Sequence, residues 1–267
     1  MEINRTNINE LVNKCNVRPD KDYGQNFLIE PLISERIVAA LELNKEDKVL
    51  EIGPGLGSLT HFMVGKCDLD VCDIDSRMID FLKIFYKEDV NYILNDVRKI
   101  DVSKYNKIIG NLPYNITTEL VAFLLLNSEA SKMVLMCQSE AFARFFEISG
   151  EKYGPLGVML HLLGESKKLL TVKPGSFYPA PKCDSCVFVF SYRPVCDREI
   201  ILGVYKMCKT LFLNRRKTIF NNLKNYSNDV DKINEVLNKL GIEGNKRPEN
   251  ISPNEYLEMY RLFNLSK

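Results

Sequence analysis

The segment Gly110-Asn111-Leu112-Pro113-Tyr114 holds the residue types needed to make an aromatic amine react. The exocyclic amino group of adenine is a poor nucleophile, because its lone pair is delocalised into the ring. Two acceptors aimed at its hydrogens favour a pyramidal nitrogen whose lone pair can attack a methyl group. The side-chain oxygen of Asn111 and the carbonyl of Leu112 can be those acceptors. Pro113 fixes the turn and brings no competing N–H. Tyr114 offers a face on which an extruded base can stack, and its ring would also steady a nearby sulfonium cation. The bland alternative is a plain turn with a buried tyrosine.

A second segment, Val49-Leu50-Glu51-Ile52-Gly53-Pro54-Gly55-Leu56-Gly57, runs from an apolar strand into a turn, with a helix expected from near Ser58. Glycines in such a turn let a ligand approach the backbone without Cβ atoms in the way. A dinucleotide fingerprint needs glycine at the sixth position, which here is Ser58. Alternate glycines with Glu51 two residues before Gly53 suit the amino-acid and ribose portions of S-adenosylmethionine better. Asp73 closes the next strand, where a carboxylate can accept hydrogen bonds from both ribose hydroxyls. Asp75 has already left that strand and reads as a helix cap. Asp96 follows the third strand, a place from which an acid can bind the adenine amino group. Singly, Asp73 or Asp96 would serve equally well as a cap; together they stand at successive strand ends, where ligands of open α/β sheets collect.

The elements that must carry these residues alternate. Lys48–Ile52, Leu69–Asp73, Asn91–Asn95, Lys107–Gly110 and Met133–Gln138 are short apolar runs that predict buried strands. Between them Leu59–Val64, Met78–Tyr86 and Thr118–Leu126 space their apolar residues as helices do. That alternation predicts a parallel sheet with helices on both faces. Lys168–Val172 and Ser185–Tyr192 are two late strands, which suits the methyltransferase variant of the doubly wound fold with its antiparallel end. After Arg193-Pro194 the pattern becomes helical only, over Glu199–Leu213, Arg216–Asn225 and Val230–Leu240. Ser252-Pro253-Asn254-Glu255 supplies a cap, a first-turn proline and a capping-box acid for a last helix. The expected organisation is therefore a Rossmann-like catalytic domain, residues 1–194, followed by a small all-α domain, residues 195–267.

Composition excludes little. The 267 residues are 45% hydrophobic and 27% charged, with a net charge of +1, so the total does not announce a polyanionic partner. From Val195 onward 13 Lys and Arg face 9 Asp and Glu, against 23 and 26 in the rest, a weak basic bias at the C-terminal end. Met1–Asn16 lacks the apolar stretch of a signal peptide, and Leu120–Leu126 is too short to span a bilayer. A cytoplasmic protein, without membrane attachment and working as a monomer, is expected. The eight cysteines then read as free thiols. Cys183 and Cys186 lie in an apparent strand with no second pair nearby, so both read as small core residues, and no metal site is expected. His61 and His161 receive no catalytic role.

Taken in order along the chain, these motifs resemble the ribosomal RNA adenine dimethyltransferases of the KsgA type. The resemblance covers almost the whole length. It runs through Tyr23-Gly24-Gln25-Asn26-Phe27-Leu28, the glycine turn, Asp73, Asp96 and Asn111-Leu112-Pro113-Tyr114-Asn115-Ile116-Thr117. It continues in Phe177-Tyr178-Pro179-Ala180-Pro181-Lys182-Cys183-Asp184-Ser185 and Phe212-Leu213-Asn214-Arg215-Arg216-Lys217-Thr218. It implies that Asn26 and Leu28 close over S-adenosylmethionine. It also implies that Gly53, Gly55, Asp73, Asp96 and Asn111 contact that cofactor, and that Phe177 forms the second face of an adenine slot. Dimethylation at N6 of adenines in small-subunit ribosomal RNA, within a pre-ribosomal particle, would be the activity. Arg215, Arg216 and Lys217, read as the start of a helix, would contact RNA phosphates. Tyr23, Ser139, Gly157, Cys183 and Cys186 depart from the residues usual in that family. The competing readings are an Erm-type methyltransferase of large-subunit RNA and a nucleic-acid-binding factor of this fold without catalysis.

Overall fold

The computed structural model describes residues 2–14, 17, 19 and 24–264. In chain order its elements are α1 (Ile8–Lys14), β1 (Phe27–Leu28), α2 (Pro31–Ala39), β2 (Lys48–Ile52), α3 (Thr60–Met63), β3 (Asp68–Asp73), α4 (Ser76–Tyr86) and β4 (Asn91–Leu94). Then come β5 (Lys107–Asn111), α5 (Thr117–Asn127), β6 (Lys132–Gln138), α6 (Ser139–Phe146), α7 (Pro155–Leu163), β7 (Gly164–Val172), β8 (Phe177–Tyr178) and β9 (Ser185–Tyr192). The chain continues through α8 (Arg198–Leu211), α9 (Ile219–Leu223), α10 (Val230–Leu240) and α11 (Pro253–Asn264).

Seven strands form one sheet in the order β4-β3-β2-β5-β6-β9-β7. The pairs β3–β4, β2–β3, β2–β5 and β5–β6 are parallel, and β9 runs antiparallel to β6. Strands covered on both faces need apolar side chains throughout, which is why Val49, Leu50, Ile108, Ile109 and Val134 are fully buried. The chain leaves β2 outward through β3 and β4, then returns to the other flank of β2 as β5. That reversal opens a crevice beyond the carboxyl ends of β2 and β5. The α/β expectation, with its late antiparallel strand, describes this sheet.

The chain divides into two compact units, Met1–Ala141 with Lys167–Tyr192, and Phe142–Ser166 with Arg193–Lys267. A cut near Val195 therefore meets only the last of three crossings; residues 142–166 group with the C-terminal helices. The cause lies in α7, Pro-Leu-Gly-Val-Met-Leu-His-Leu-Leu, which buries all but Pro155 and His161. A helix that is apolar nearly all round carries no one-sided stripe, so periodicity does not reveal it. Within that second unit α8 presents Ile201, Val204, Met207, Cys208 and Leu211 to the core, and α10 presents Ile233, Val236 and Leu237. The α11 entry is the expected capping box: Ser252 N–H donates to Glu255 at 2.7 Å and Glu255 N–H to the Ser252 hydroxyl at 3.3 Å.

Three local expectations need correction. The helix after the glycine turn begins at Thr60, not Ser58, and is a single turn, because residues 55–59 remain in turns. The helix expected from Arg216 begins at Ile219, capped by Thr218, whose side chain accepts from Asn221 N–H. Cys183 is exposed in the bend before β9; only Cys186 is a core residue. Tyr23 lies outside the described residues.

Candidate active site

Four strand ends converge on the crevice. Ile52 pairs with Cys72 on one side and Gly110 on the other, so Gly53, Asp73 and Asn111 stand in one row. Asp73 pairs with Leu94, and Asn95 and Asp96 follow directly. The crevice opens into a cleft. Asn26, Leu28, Gly53, Gly55, Asp73, Asp96, Asn111, Leu112, Pro113 and Tyr114 all line it, along with Glu51 and Gln25.

The glycine turn folds as it does for steric reasons. Gly53 has φ +63° and extends the sheet by donating its N–H to the Cys72 carbonyl at 2.9 Å. Gly55 has φ +54°, and a Cβ there would stand 2.9 Å from Cδ1 of Phe27, closer than real contacts allow. Both positions need left-handed backbone, and at Gly55 the Phe27 ring also takes the space a side chain would fill.

Phe27 belongs to β1, which pairs antiparallel with β8 and places Leu28 opposite Phe177. This two-stranded piece straps the 24–28 segment beside the cleft. The sequence carries no spacing signal for it, since its halves are 150 residues apart and two residues long. Phe177 is buried opposite Leu28 in this pairing and is not among the cleft walls. The strap has two further ties. The Gln25 amide donates to Asp75 at 2.9 Å, and the Asn111 amide nitrogen donates to the Asn26 carbonyl at 2.9 Å.

That second tie sets the chemistry of Asn111. A backbone carbonyl can only accept, so the amide must turn its NH2 toward Asn26. Oδ1, an acceptor, is thereby turned away from Asn26. Tyr114 is fixed as well, its hydroxyl lying 2.6 Å from that of Ser185, a fully buried residue to which the sequence alone assigned no role in the site.

The three cleft acids differ in state. Glu51 is wholly buried and accepts from the Thr60 hydroxyl at 2.6 Å; burial outweighs that bond and pushes its carboxyl up to about 8. Asp73 accepts from Asp75 N–H at 2.9 Å, and burial raises it to about 6. Asp96 goes the other way, held below its ordinary value chiefly by hydrogen bonds from the Arg98 guanidinium at 2.6 and 3.0 Å. It also caps the short helical turn Val97–Lys99. Asp75 is the N-cap of α4 and pairs with Arg77 at 2.7 Å. One strand end thus offers a buried acid that holds its proton up to about pH 6, and a neighbouring one an acid kept ionised by its guanidinium partner.

Arg215, Arg216 and Lys217 belong to the second unit, in the turn between α8 and α9. Arg215 donates to the Tyr153 carbonyl at 2.8 Å, pairs with Glu249 at 3.2 Å and lies over the Phe212 ring. Arg216 and Lys217 are exposed. Among the described residues no cluster of His, Cys, Asp and Glu could hold a metal ion, and no helix is long and apolar enough to cross a membrane.

Comparison with known proteins places this geometry. A family model described as ribosomal RNA adenine dimethylase matches residues 16–265. The chain is 40% identical over 243 residues to a ribosomal RNA small subunit methyltransferase A of Malacoplasma penetrans, covering 88% of this chain and 89% of that protein. It superposes on a dimethyladenosine transferase from Plasmodium falciparum with a TM-score of 0.78 at 26% identity, over 90% of this chain and 98% of that one. The 23S rRNA methyltransferase ErmE shares the fold, with a TM-score of 0.70 at 23% identity over 89% and 99% of the two chains. With a family match spanning nearly the whole chain, on a sheet whose strand ends bear the acids, glycines and Asn111 described above, this protein belongs to the ribosomal RNA adenine dimethylase family and is an S-adenosylmethionine-dependent methyltransferase.

Proposed function

We propose that the cleft dimethylates N6 of adenines in small-subunit ribosomal RNA, and that Asn111 is the acceptor that activates the amino group. The observation that carries this reading is the bond from the Asn111 amide nitrogen to the Asn26 carbonyl, which fixes the amide of a cleft residue with its acceptor Oδ1 turned away from Asn26.

The walls fit S-adenosylmethionine. A Cβ on Gly53 would project beside the Asn111 carbonyl at 3.7 Å, into space the glycine keeps open. The buried Asp73 carboxyl suits a pair of hydroxyl donors, and Asp96 suits an amino donor. Gly53, Gly55, Asp73 and Asp96 hold the cofactor in this reading, with Asn26 and Leu28 covering it and Asn111 touching it from the strand end. When bound, the cofactor supplies an electrophilic methyl group on sulfur. The protein's own residues do the rest. Asn111 Oδ1 and the Leu112 carbonyl accept the two N6 hydrogens and draw the nitrogen toward a pyramid. Pro113 keeps that turn free of a competing donor. Tyr114 stacks on the extruded base, and Phe177, the strand partner of Leu28, supports the opposite side. A tertiary or secondary aromatic amine is a weak base, so the proton released after each transfer leaves to water without a dedicated base.

The small-subunit assignment follows the name of the Malacoplasma relative, and a pre-ribosomal particle in the cytoplasm, met by a monomer, is the setting proposed with it. Arg216 and Lys217 are the proposed phosphate contacts. The test is single-turnover methylation of small-subunit ribosomal RNA with nucleosides identified by mass spectrometry. N6,N6-dimethyladenosine is expected, and Asn111→Ala should slow its formation about 100-fold, as removal of one preorganised polar group does at a reaction centre. RNA affinity should hold. Methyl groups on cytosine or guanine would overturn the assignment.

A further inference from the structure

We infer that Ser185 is a positioning residue which fixes the Tyr114 ring, and that its bond governs the second methyl transfer more than the first. This rests on the reading of Asn111-Leu112-Pro113-Tyr114 as the adenine site given above.

Ser185 is the first residue of β9 and is completely buried. Its backbone is held in register opposite Gln138 of β6, and the next residue of that strand's continuation, Ser139, donates its N–H to the Asp184 carbonyl at 3.0 Å. The same strand holds the start of the reactive tetrapeptide: Asn111 pairs with Met136, and Leu112 N–H donates to the Met136 carbonyl at 3.0 Å. The tetrapeptide is thus tied to β6 twice. Its acceptors are tied through the β5–β6 ladder, and its ring is tied through the Ser185 hydroxyl at 2.6 Å. Without the second tie, Tyr114 is a loop residue between β5 and α5, and its ring is free to tilt away from the acceptors.

The two rounds of transfer place different demands on that ring. In each round the N6 lone pair forms a bond to the methyl carbon, the carbon–sulfur pair returns to sulfur, and one N6 proton leaves to water. Unmodified adenine offers two hydrogens to the two acceptors, so it is oriented by two hydrogen bonds and the stack. N6-methyladenine has one hydrogen left. Its orientation rests on one hydrogen bond and the stack, so a loosened Tyr114 slows the second transfer more than the first.

The experiment measures both rate constants in single-turnover time courses on small-subunit ribosomal RNA, scoring N6-methyl- and N6,N6-dimethyladenosine. Ser185→Ala should lower the ratio of second to first rate constant about fivefold, the scale of one hydrogen bond. Tyr114→Phe removes the same bond from the other side and should give the same change, with no further drop in the double variant. A general loss of structure would lower both rate constants together and leave their ratio alone. A second readout needs neither RNA nor cofactor: the 19F resonance of 3-fluorotyrosine at position 114 should shift toward a motionally averaged line in Ser185→Ala. If Ser185→Ala does not fold, Tyr114→Phe decides the ratio. Wild type that dimethylates adenine, with both variants keeping its ratio and Ser185→Ala keeping its 19F line, overturns the role of Ser185 and leaves the proposed function standing. Wild type that does not methylate adenine removes both.

Discussion

Asp73 and Glu51 are acids that burial keeps protonated in a pH range where carboxyls are ordinarily charged. Their consequences for stability and for binding have definite signs. A carboxyl whose value is raised on folding stabilises the folded protein below its ordinary range, and that contribution fades as pH climbs through the raised value. The ligand-free protein should therefore lose stability between the ordinary carboxylate range and about pH 8. Binding has the opposite slope. Hydroxyl donors favour the ionised form of Asp73, so cofactor affinity should be steady above about pH 6 and fall below it, where a proton must first be removed. Calorimetric titration of S-adenosylmethionine from pH 5 to pH 7 checks this. Asp73→Asn should bind more weakly at pH 7 and show no such fall. A pH-independent wild-type affinity would take Asp73 out of the ribose site.

At the scale of elements, the cleft depends on a strap that two short strands hold against the glycine turn. Gly55 is the contact between them. Gly55→Ala combines backbone strain at φ +54° with a Cβ 2.9 Å from the Phe27 ring. Gly65 is the matched control, with φ +73° and nothing within 4 Å of an added Cβ, so Gly65→Ala carries the backbone penalty alone. Strain of this kind costs about 1–3 kcal/mol. Both variants should lose roughly that much in denaturant unfolding, with Gly55→Ala the lower of the two. Only Gly55→Ala should also weaken cofactor binding, because displacing Phe27 moves Asn26, whose carbonyl orients Asn111. Equal losses in the two variants, with binding unchanged, would mean that Phe27 yields freely and the strap is not positioned by this contact.

At the scale of the whole molecule, the basic triplet divides into one structural and two exposed cations. Arg215 joins three parts of the second unit: the turn before α9, the Gly150–Tyr153 loop and the segment around Glu249. Arg215→Ala should lower the thermal midpoint, at a cost of about 1–3 kcal/mol for the buried partners it leaves. It should leave the salt dependence of RNA binding unchanged. Arg216→Ala with Lys217→Ala should do the reverse, flattening the slope of binding against salt by about two charge units while the midpoint holds. Filter-binding across a salt series, paired with thermal melts of each variant, separates the two. A slope that changes only with Arg215 would mean the turn rearranges on RNA.

Several features of this protein were legible in its residues alone, and they share a physical reason. The strands Lys48–Ile52 and Ser185–Tyr192 and the helix Val230–Leu240 emerge with their observed limits, because burial of a strand or of one helix face writes a local apolar pattern. The cleft acids and glycines follow from those strands, since ligands gather at the carboxyl ends of parallel strands. The type of chemistry is local too: it resides in five consecutive residues, Gly110 to Tyr114. What only the tertiary structure decided involves partners far apart in the chain. The β1–β8 pairing, the bond from Asn111 to the Asn26 carbonyl, the Ser185 anchor of Tyr114 and the engagement of Arg215 by Tyr153 and Glu249 all join segments 34 or more residues distant. No short-range spacing records such contacts. The same holds for α7, whose nearly uniform burial erases the stripe that would have assigned it to the C-terminal unit, and for Asp73 and Asp96, which the sequence offers as equal acids. Burial without a cation raises one and the Arg98 guanidinium lowers the other, and depth and neighbours are properties of the folded chain.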